Sequence, residues 1–186
     1  MHKFFLHFYL LKTKQRAWTT AILFAAYILA SSPLIPLFSK WLRQHNLLRI
    51  TLLSLLIIFL IYIFAYFISQ LKITSIKAYL GIGFLLVVAA LLMLVGDRST
   101  EERLHILEYT FLCLLFFKAA KFSFKGILLF GIPLLIAVSF GWLDELWQGF
   151  LPDRVYDIQD VCDNAAGALI GIGFAWIRQK YGKELI

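Results

Sequence analysis

Four long stretches of this 186-residue chain contain no Asp, Glu, Lys or Arg. Each has 18 to 23 residues, and they cover 17–39, 50–71, 78–96 and 126–143. A helix of roughly 20 mostly apolar residues crosses the hydrocarbon core of a membrane. A soluble domain of this length does not need a hydrophobic content of 61%. The scarcity of charge therefore argues against a soluble protein and predicts four membrane-spanning helices.

Motifs of known chemistry are also scarce. The chain has two cysteines, Cys113 and Cys162, without the CxxC spacing of a redox or zinc site. It has no HExxH, no GxSxG and no phosphate-binding P-loop. These absences exclude a disulfide framework and the best-known hydrolase and nucleotide-binding signatures. We expect both cysteines to behave as small apolar residues.

Two shorter segments, 104–117 and 164–177, raise the predicted number of spans to six. Each has 14 residues, so we expect their outer ends to be polar and to lie at the membrane interface. The predicted fold class is an all-α polytopic transmembrane helix bundle that forms a single membrane domain over 1–186. Five spans are the main alternative. The predicted helices are 17–38, 50–71, 78–96, 101–120, 126–145 and 159–177.

The first of these helices could also be a cleaved signal peptide. Its apolar stretch continues as far as Phe38, which is longer than a usual signal core. We therefore expect it to remain as the first span.

The basic residues indicate which side of the membrane each loop occupies. With the N-terminus in the cytoplasm, 12 of the 18 Lys and Arg residues lie inside, as expected from the excess of positive charge in cytoplasmic loops. Both termini are then cytoplasmic, and ten of the 11 acidic residues lie outside. The net charge of +7 forms a surface that attracts anionic membrane lipids. No recognition motif accompanies it, so we expect no nucleic-acid binding.

The segment 144–164 holds six of the 11 acidic residues and a single base, Arg154. With a rise of about 1.5 Å per residue, polar residues of three helices reach a similar depth near the outer face. They are His105 and Glu108 on the fourth helix, Asp144 and Glu145 on the fifth, and Asp160, Asp163 and Asn164 on the sixth. Charges inside a span need partners, water or a ligand. The sequence therefore predicts a polar cavity that opens outward, whereas the loop acids Asp153 and Asp157 have a simpler interpretation as solvated residues.

Helical spacing adds further polar residues to the same faces. Tyr109 follows His105 by four residues, and Gln148 follows Asp144 by four if the fifth helix continues that far. Residues four apart lie one above the other on a helix. Tyr109 and Gln148 therefore belong to the predicted cavity.

These motifs resemble those of the VanZ-like membrane proteins, a family named for an accessory protein of resistance to the glycopeptide teicoplanin. The similar segments are HILEY (105–109), DELWQGFLPDR (144–154), DIQDVCDNAAGALIG (157–171) and SSPLIP (31–36). The resemblance covers 101–177 and the first helix, 17–38, whereas 50–96 looks like an added helix pair. It implies a multipass protein of the bacterial plasma membrane, a contribution to teicoplanin-type resistance, and a functional role for Asp157. It implies no particular biochemical activity.

The favoured hypothesis of function is a non-enzymatic envelope protein that needs no cofactor. Its cavity binds a lipid headgroup, a cell-wall precursor or a lipoglycopeptide, and Arg154 grips a phosphate or carboxylate through its planar guanidinium group. The binding residues are then His105, Tyr109, Asp144, Glu145, Gln148, Arg154, Asp157, Asp160 and Asn164.

The alternative hypothesis is an enzyme that acts on a lipid or its headgroup at the outer leaflet. Glu145, Asp160 and Asp163 could hold a divalent cation such as Mg²⁺ or Ca²⁺. The catalytic residues would be Glu145, Asp160 and His105, the last as general acid or base. A small transporter is less favoured, because the polar groups gather at one face instead of the midplane. Three or more carboxyl or imidazole groups within about 2–2.6 Å of one point would favour metal chemistry. Carboxylates held by Arg154 and backbone amides would favour a binding cavity.

Overall fold

The computed structural model describes residues 13–48, 50, 51, 53, 54, 57, 58, 61, 75–94, 104–152 and 154–182. Six helices are described over their whole length, and no strand occurs in this part of the chain. They are α1 (Lys14–Ser31), α2 (Ile35–Gln44), α3 (Ile76–Leu94), α4 (Leu104–Ala120), α5 (Leu128–Gln148) and α6 (Ile158–Tyr181). The predicted all-α class is confirmed for the described residues.

Most charge-free segments form helices close to their predicted bounds. α3, α5 and α6 begin and end within four residues of the predictions. The seven described residues of the predicted helix 50–71 are all helical, and the remainder of that helix lies outside the described residues. α5 continues to Gln148, which places this side chain one turn after Asp144 on the same helix face.

The prediction of one continuous helix over 17–38 is wrong. α1 and α2 are separated by residues 32–34 and are bent by 60° relative to each other. Pro33 and Pro36 explain this break, because proline lacks the N–H group that a helical hydrogen bond requires and its ring crowds the preceding turn. Pro36 is tolerated in α2 because it lies in the first turn, where backbone N–H groups have no helical partner.

α4 is the central helix of the described bundle, and α1, α5 and α6 pack against it. Small residues on α1, among them Ala21 and Ala25, lie against Leu112 and Phe116 of α4. α3 lies on the other side and packs mainly against α6. This arrangement brings the first turns of α4 and α6 close to the last turn of α5.

The contact between α4 and α6 is closest at two glycines. A Cβ atom on Gly167 would lie 2.5 Å from the carbonyl oxygen of Ile106, and one on Gly171 would lie 2.6 Å from that of Thr110. The Thr110 hydroxyl lies 2.7 Å from the carbonyl oxygen of Ile106 and 2.9 Å from that of Gly167, so it can donate to either. Backbone therefore meets backbone here, and the depth of α6 relative to α4 is fixed.

Two helices, α3 and α5, are long and apolar enough to cross a membrane. α1 and α2 pass the same test only as a bent pair, which would make a third span. Large apolar side chains such as Leu80 and Phe84 of α3 and Leu135 of α5 are more than 60% exposed on the outside of the bundle. The described part of the chain thus has two apolar helices, or three spans with the bent pair, that could lie in a lipid environment.

Candidate functional site

Three predicted site residues come together from the ends of three helices. His105 lies in the first turn of α4, Glu145 in the last turn of α5 and Asp160 in the first turn of α6. One potential ligand atom of each residue lies within 4.8 Å of those of the other two. All three are buried, with exposed fractions of 8%, 0% and 8%. We call these residues the His–Glu–Asp group.

Glu145 is held by the backbone of the following loop. Its Oε2 accepts a hydrogen bond from the N–H group of Asp157 at 3.1 Å. Its Oε1 has no hydrogen-bond partner in the described part of the chain, and the same is true of Nδ1 of His105. Glu145 also interacts electrostatically with His105, Asp144 and Asp160. Two buried polar atoms of this group are therefore available to a ligand.

Asp144 connects three segments that are distant in the sequence. This residue is completely buried, and its Oδ1 accepts a hydrogen bond from the Ser32 hydroxyl at 2.9 Å. The Tyr109 hydroxyl lies 3.3 Å from Oδ2 of Asp144 and 3.3 Å from the carbonyl oxygen of Phe140. Asp144 thus joins the break after α1 to α4 and α5.

Asn164 of α6 lies against Gly141 of α5, about one helical turn before Asp144. Its Nδ2 donates to the carbonyl oxygen of Gly141 at 3.1 Å. A Cβ atom on Gly141 would lie 2.6 Å from Cβ of Asn164 and 3.2 Å from the ring of Tyr109. Asn164 is fully buried, and its Oδ1 has no partner among the described residues. It holds α5 and α6 together and leaves one acceptor open.

Arg154 lies at a cleft beside the His–Glu–Asp group. Its guanidinium group donates to the side-chain oxygen of Gln148, which is 2% exposed. The cleft has a free volume of about 20 Å³, which exceeds the roughly 10–15 Å³ that one water molecule needs. It is lined by Ile28, Ser32, Ile35, Leu104, His105, Glu108, Asp144, Gln148 and Arg154. The cleft is thus polar, narrow and partly walled by apolar side chains of α1 and α2.

The structure brings most of the predicted residues into two sets. The first is the His–Glu–Asp group, and the second lines the cleft or contacts its lining residues, namely Tyr109, Asp144, Gln148 and Arg154. Asp157 is exposed instead, and its Oδ1 caps α6 by accepting from the N–H group of Gln159 at 2.8 Å. Asp163 is buried but is not in the His–Glu–Asp group. Asp153 lies outside the described residues.

Sequence reasoning missed one residue of the site, Ser32, whose hydroxyl donates to Asp144. Glu108, which was expected at the level of the cavity, lines the cleft. A serine directly before a proline inside an apolar span was the available signal for Ser32, because that position marks a helix break with free polar groups. Arg154 also differs in its partner, because in the described part of the chain its hydrogen bond goes to an amide, Gln148, and not to a carboxylate.

Comparisons with protein-family models, with curated proteins and with solved structures gave no match to this chain. The fold and the site therefore define the class: an all-helical chain, over the described residues, with at least two helices apolar enough to cross a membrane and a buried polar site where α4, α5 and α6 meet.

Proposed function

We propose that the chain is a multipass protein of the bacterial plasma membrane, with six spans, cytoplasmic termini and a polar cavity that opens outward. Its distribution of polarity supports this proposal. Asp144, Glu145 and Asn164 have no exposed surface, whereas many large apolar side chains are on the outside of the bundle. In water, exposed apolar side chains would destabilise the fold, whereas in lipid the same side chains are favourably solvated. The division of 12 and 6 bases between the two faces supplies the orientation.

Cysteine labelling tests this orientation. In a Cys113→Ser, Cys162→Ser background, we expect Val155→Cys to react with a membrane-impermeant maleimide in intact cells. Gln179→Cys should react only after permeabilisation. Both positions are exposed, Val155 by 85%, so burial does not explain a difference. Labelling of Gln179→Cys with protection of Val155→Cys in intact cells would contradict the orientation.

The ligand that we propose for the cleft is an anionic head, phosphate or carboxylate, on an apolar tail. Phospholipids, lipid-linked cell-wall precursors and lipoglycopeptides such as teicoplanin share this chemistry. The observation that carries the proposal is Arg154 beside a narrow polar cleft with apolar walls. Guanidinium has five N–H donors, and the hydrogen bond to Gln148 uses one amino group. The remaining donors suit a bidentate contact with an oxyanion.

The resemblance to the VanZ-like family supports the same proposal from the sequence. The segments that carry it, 31–36, 105–109, 144–154 and 157–171, include every polar side chain of the site. Reduced access of teicoplanin to its target is the physiological role that we propose on this basis.

Substitution of Arg154 tests the ligand chemistry. We expect Arg154→Ala to weaken binding of anionic phospholipid by roughly 10–100-fold, since a charge-assisted hydrogen bond contributes about 1.5–3 kcal/mol. Arg154→Lys should restore part of the affinity, because lysine keeps the charge but loses the planar, two-pronged geometry. Affinities are measured by calorimetry in micelles, with phosphatidylglycerol, a polyprenyl-linked cell-wall precursor and teicoplanin as separate ligands.

The matched control is Arg16→Ala, which removes an exposed arginine at the opposite end of the bundle. It should bind all three ligands like the wild type. Teicoplanin susceptibility of a sensitive host that expresses each variant gives the cellular readout. Equal affinities and equal susceptibility for all four proteins would show that Arg154 has no part in binding.

A second candidate function is a membrane-embedded enzyme that acts on a lipid headgroup. The specific observation in its favour is the His–Glu–Asp group, which brings an imidazole and two carboxylates together next to the cleft. These are the residue types that transfer protons or hold a metal ion in hydrolytic sites. Release of a headgroup from radiolabelled phospholipid by the purified protein, and its loss in Glu145→Gln, would favour this candidate over binding alone.

A further inference from the structure

We propose that His105, Glu145 and Asp160 form a binding site for a divalent first-row transition-metal ion of the Mn²⁺ or Zn²⁺ type. The site goes beyond the headgroup function, and its metal affinity can be measured without a headgroup. It shares one residue, His105, with the wall of the cleft, whereas Arg154 and Gln148 are not among its three residues.

The spacing of the three side chains suits one ion. Their potential ligand atoms lie within 4.8 Å of one another. A tetrahedral ion bound at about 2.1 Å holds its ligands about 3.4 Å apart. The three ligand atoms therefore need to approach one another by up to about 1.4 Å, which rotations about their side-chain bonds supply.

Unsatisfied atoms give an independent indication of a ligand. His105 is 92% buried and Glu145 is fully buried, since their exposed fractions are 8% and 0%. In the described part of the chain, Nδ1 of His105 and Oε1 of Glu145 have no hydrogen-bond partner. A buried polar atom without a partner destabilises the fold. An ion bound through these two atoms would satisfy both.

The surroundings also prepare Glu145 as a ligand. The Asp157 N–H group holds Oε2 at 3.1 Å, which orients the carboxylate and leaves Oε1 open. Metal-binding carboxylates and histidines are commonly oriented by such outer contacts. Three rigid helix ends then supply the three ligands, and α4 and α6 are fixed in depth by the contact of Gly167 with Ile106.

Charge balance favours a doubly charged ion. Glu145 and Asp160 are two buried carboxyl groups close enough to interact electrostatically. As metal ligands, two carboxylates and one imidazole bring a formal charge of −2, which a divalent ion neutralises. The hydrogen bond of the neighbouring Arg154 goes to Gln148. Neutralisation by the ion lowers the cost of keeping both carboxylates inside an apolar bundle.

The donor set identifies the class of ion. Mg²⁺ and Ca²⁺ prefer oxygen ligands only, whereas one imidazole with two carboxylates suits Mn²⁺, Fe²⁺ or Zn²⁺. This set also differs from the one that the sequence predicted, since His105 is near Glu145 and Asp160 and Asp163 is not in the group.

Metal titration of the full chain in micelles tests the site. After treatment with EDTA and removal of the chelator, the wild type should bind about one equivalent of Mn²⁺ or Zn²⁺, measured by calorimetry and by elemental mass spectrometry. Binding should raise the Tm, and an excess of Mg²⁺ should not reverse it. Bound Mn²⁺ should show the electron spin-echo signature of one imidazole nitrogen. The signature should remain in His45→Gln, a control that removes an exposed histidine outside the site.

Four variants locate the ion. His105→Gln, Glu145→Gln and Asp160→Asn should each weaken Mn²⁺ and Zn²⁺ binding by at least about tenfold. Asp163→Asn is the matched control, because it makes the same carboxyl-to-amide change one turn further along α6. It should keep wild-type affinity. Arg154→Ala should keep it too, so a failure of headgroup binding and a failure of metal binding can be told apart.

Several results would overturn the site. These are no Mn²⁺ or Zn²⁺ binding by the wild type, bound Mn²⁺ without a nitrogen signature, and equal affinity of the three ligand variants with the wild type. A loss of binding in Asp163→Asn with retention in His105→Gln would move the ion to the carboxylate set instead. Circular dichroism of each variant checks its helix content, and the wild-type titration and spin-echo signature decide the matter if a variant does not fold.

Discussion

Gly167→Ala should reduce the free energy of unfolding by about 2–3 kcal/mol. The added Cβ atom would lie 2.5 Å from the carbonyl oxygen of Ile106, and a backbone atom in a central helix cannot move aside without shifting α4. The shift would also move the first turn of α6, with Asp160, away from His105 on α4. Reversible unfolding in mixed detergent micelles measures the loss.

Two other glycines give matched controls for the same substitution. In Gly173→Ala, on the same helix, the new atom would lie 3.0 Å from Cδ1 of Leu85, which is the end of a flexible side chain. We expect a change within about 1 kcal/mol. Gly131 in α5 has no atom within 4 Å of its added Cβ, so Gly131→Ala should stabilise the helix by about 0.5–1 kcal/mol. Equal losses at Gly167 and Gly173 would show that the α4–α6 contact is looser than the structure has it.

The second large effect concerns Asp144 and its two hydroxyl donors. The double variant Ser32→Ala, Tyr109→Phe should lose about 3–5 kcal/mol of stability, because it leaves a buried carboxyl group without the hydrogen bonds that it accepts. Adding Asp144→Leu to this double variant should recover part of the loss. In the wild-type background, the same Asp144→Leu change should cost about 3 kcal/mol, since it removes two charge-assisted hydrogen bonds.

Ser31→Ala is the control for this experiment. The Ser31 hydroxyl donates to the Ile28 carbonyl oxygen at 3.0 Å. The Ser32 hydroxyl, which donates to Asp144, lies 3.1 Å from the same oxygen, so the two serines differ in the bond to Asp144. We expect a loss below about 1 kcal/mol. If the triple variant is less stable than the double one, Asp144 has a further partner and the proposed network is incomplete.

Much of the fold could be predicted from the position of charges alone. Apolar stretches without charge mark helices because a helix satisfies its own backbone in any solvent, and α3 and α5 follow those stretches closely. The break after α1 was missed because its apolar stretch continues through it. Pro33 was the local signal of a break, but the length of the charge-free stretch favoured a single helix.

The sequence allowed us to predict the level at which the site residues lie along their helices, but not their hydrogen-bond partners. Counting residues along each helix placed His105, Glu145 and Asp160 at one level, and the structure brings them together. The bond of Ser32 to Asp144 joins residues 112 positions apart, and no local periodicity contains that information. The same holds for the choice of Gln148 as the partner of Arg154, which depends on how the loop after α5 turns.

Because of the break after α1, the width of the cleft depends on the angle between α1 and α2. Ile28 lies before the break, Ile35 lies after it, and both form walls of the cleft. Straightening or tightening the 60° bend would move one wall relative to the other. The Ser32 hydrogen bond fastens the bend to Asp144 at the base of the same cleft. Loss of this hydrogen bond would therefore free the bend, so that a single hydroxyl group sets both the angle between α1 and α2 and the width of the cleft.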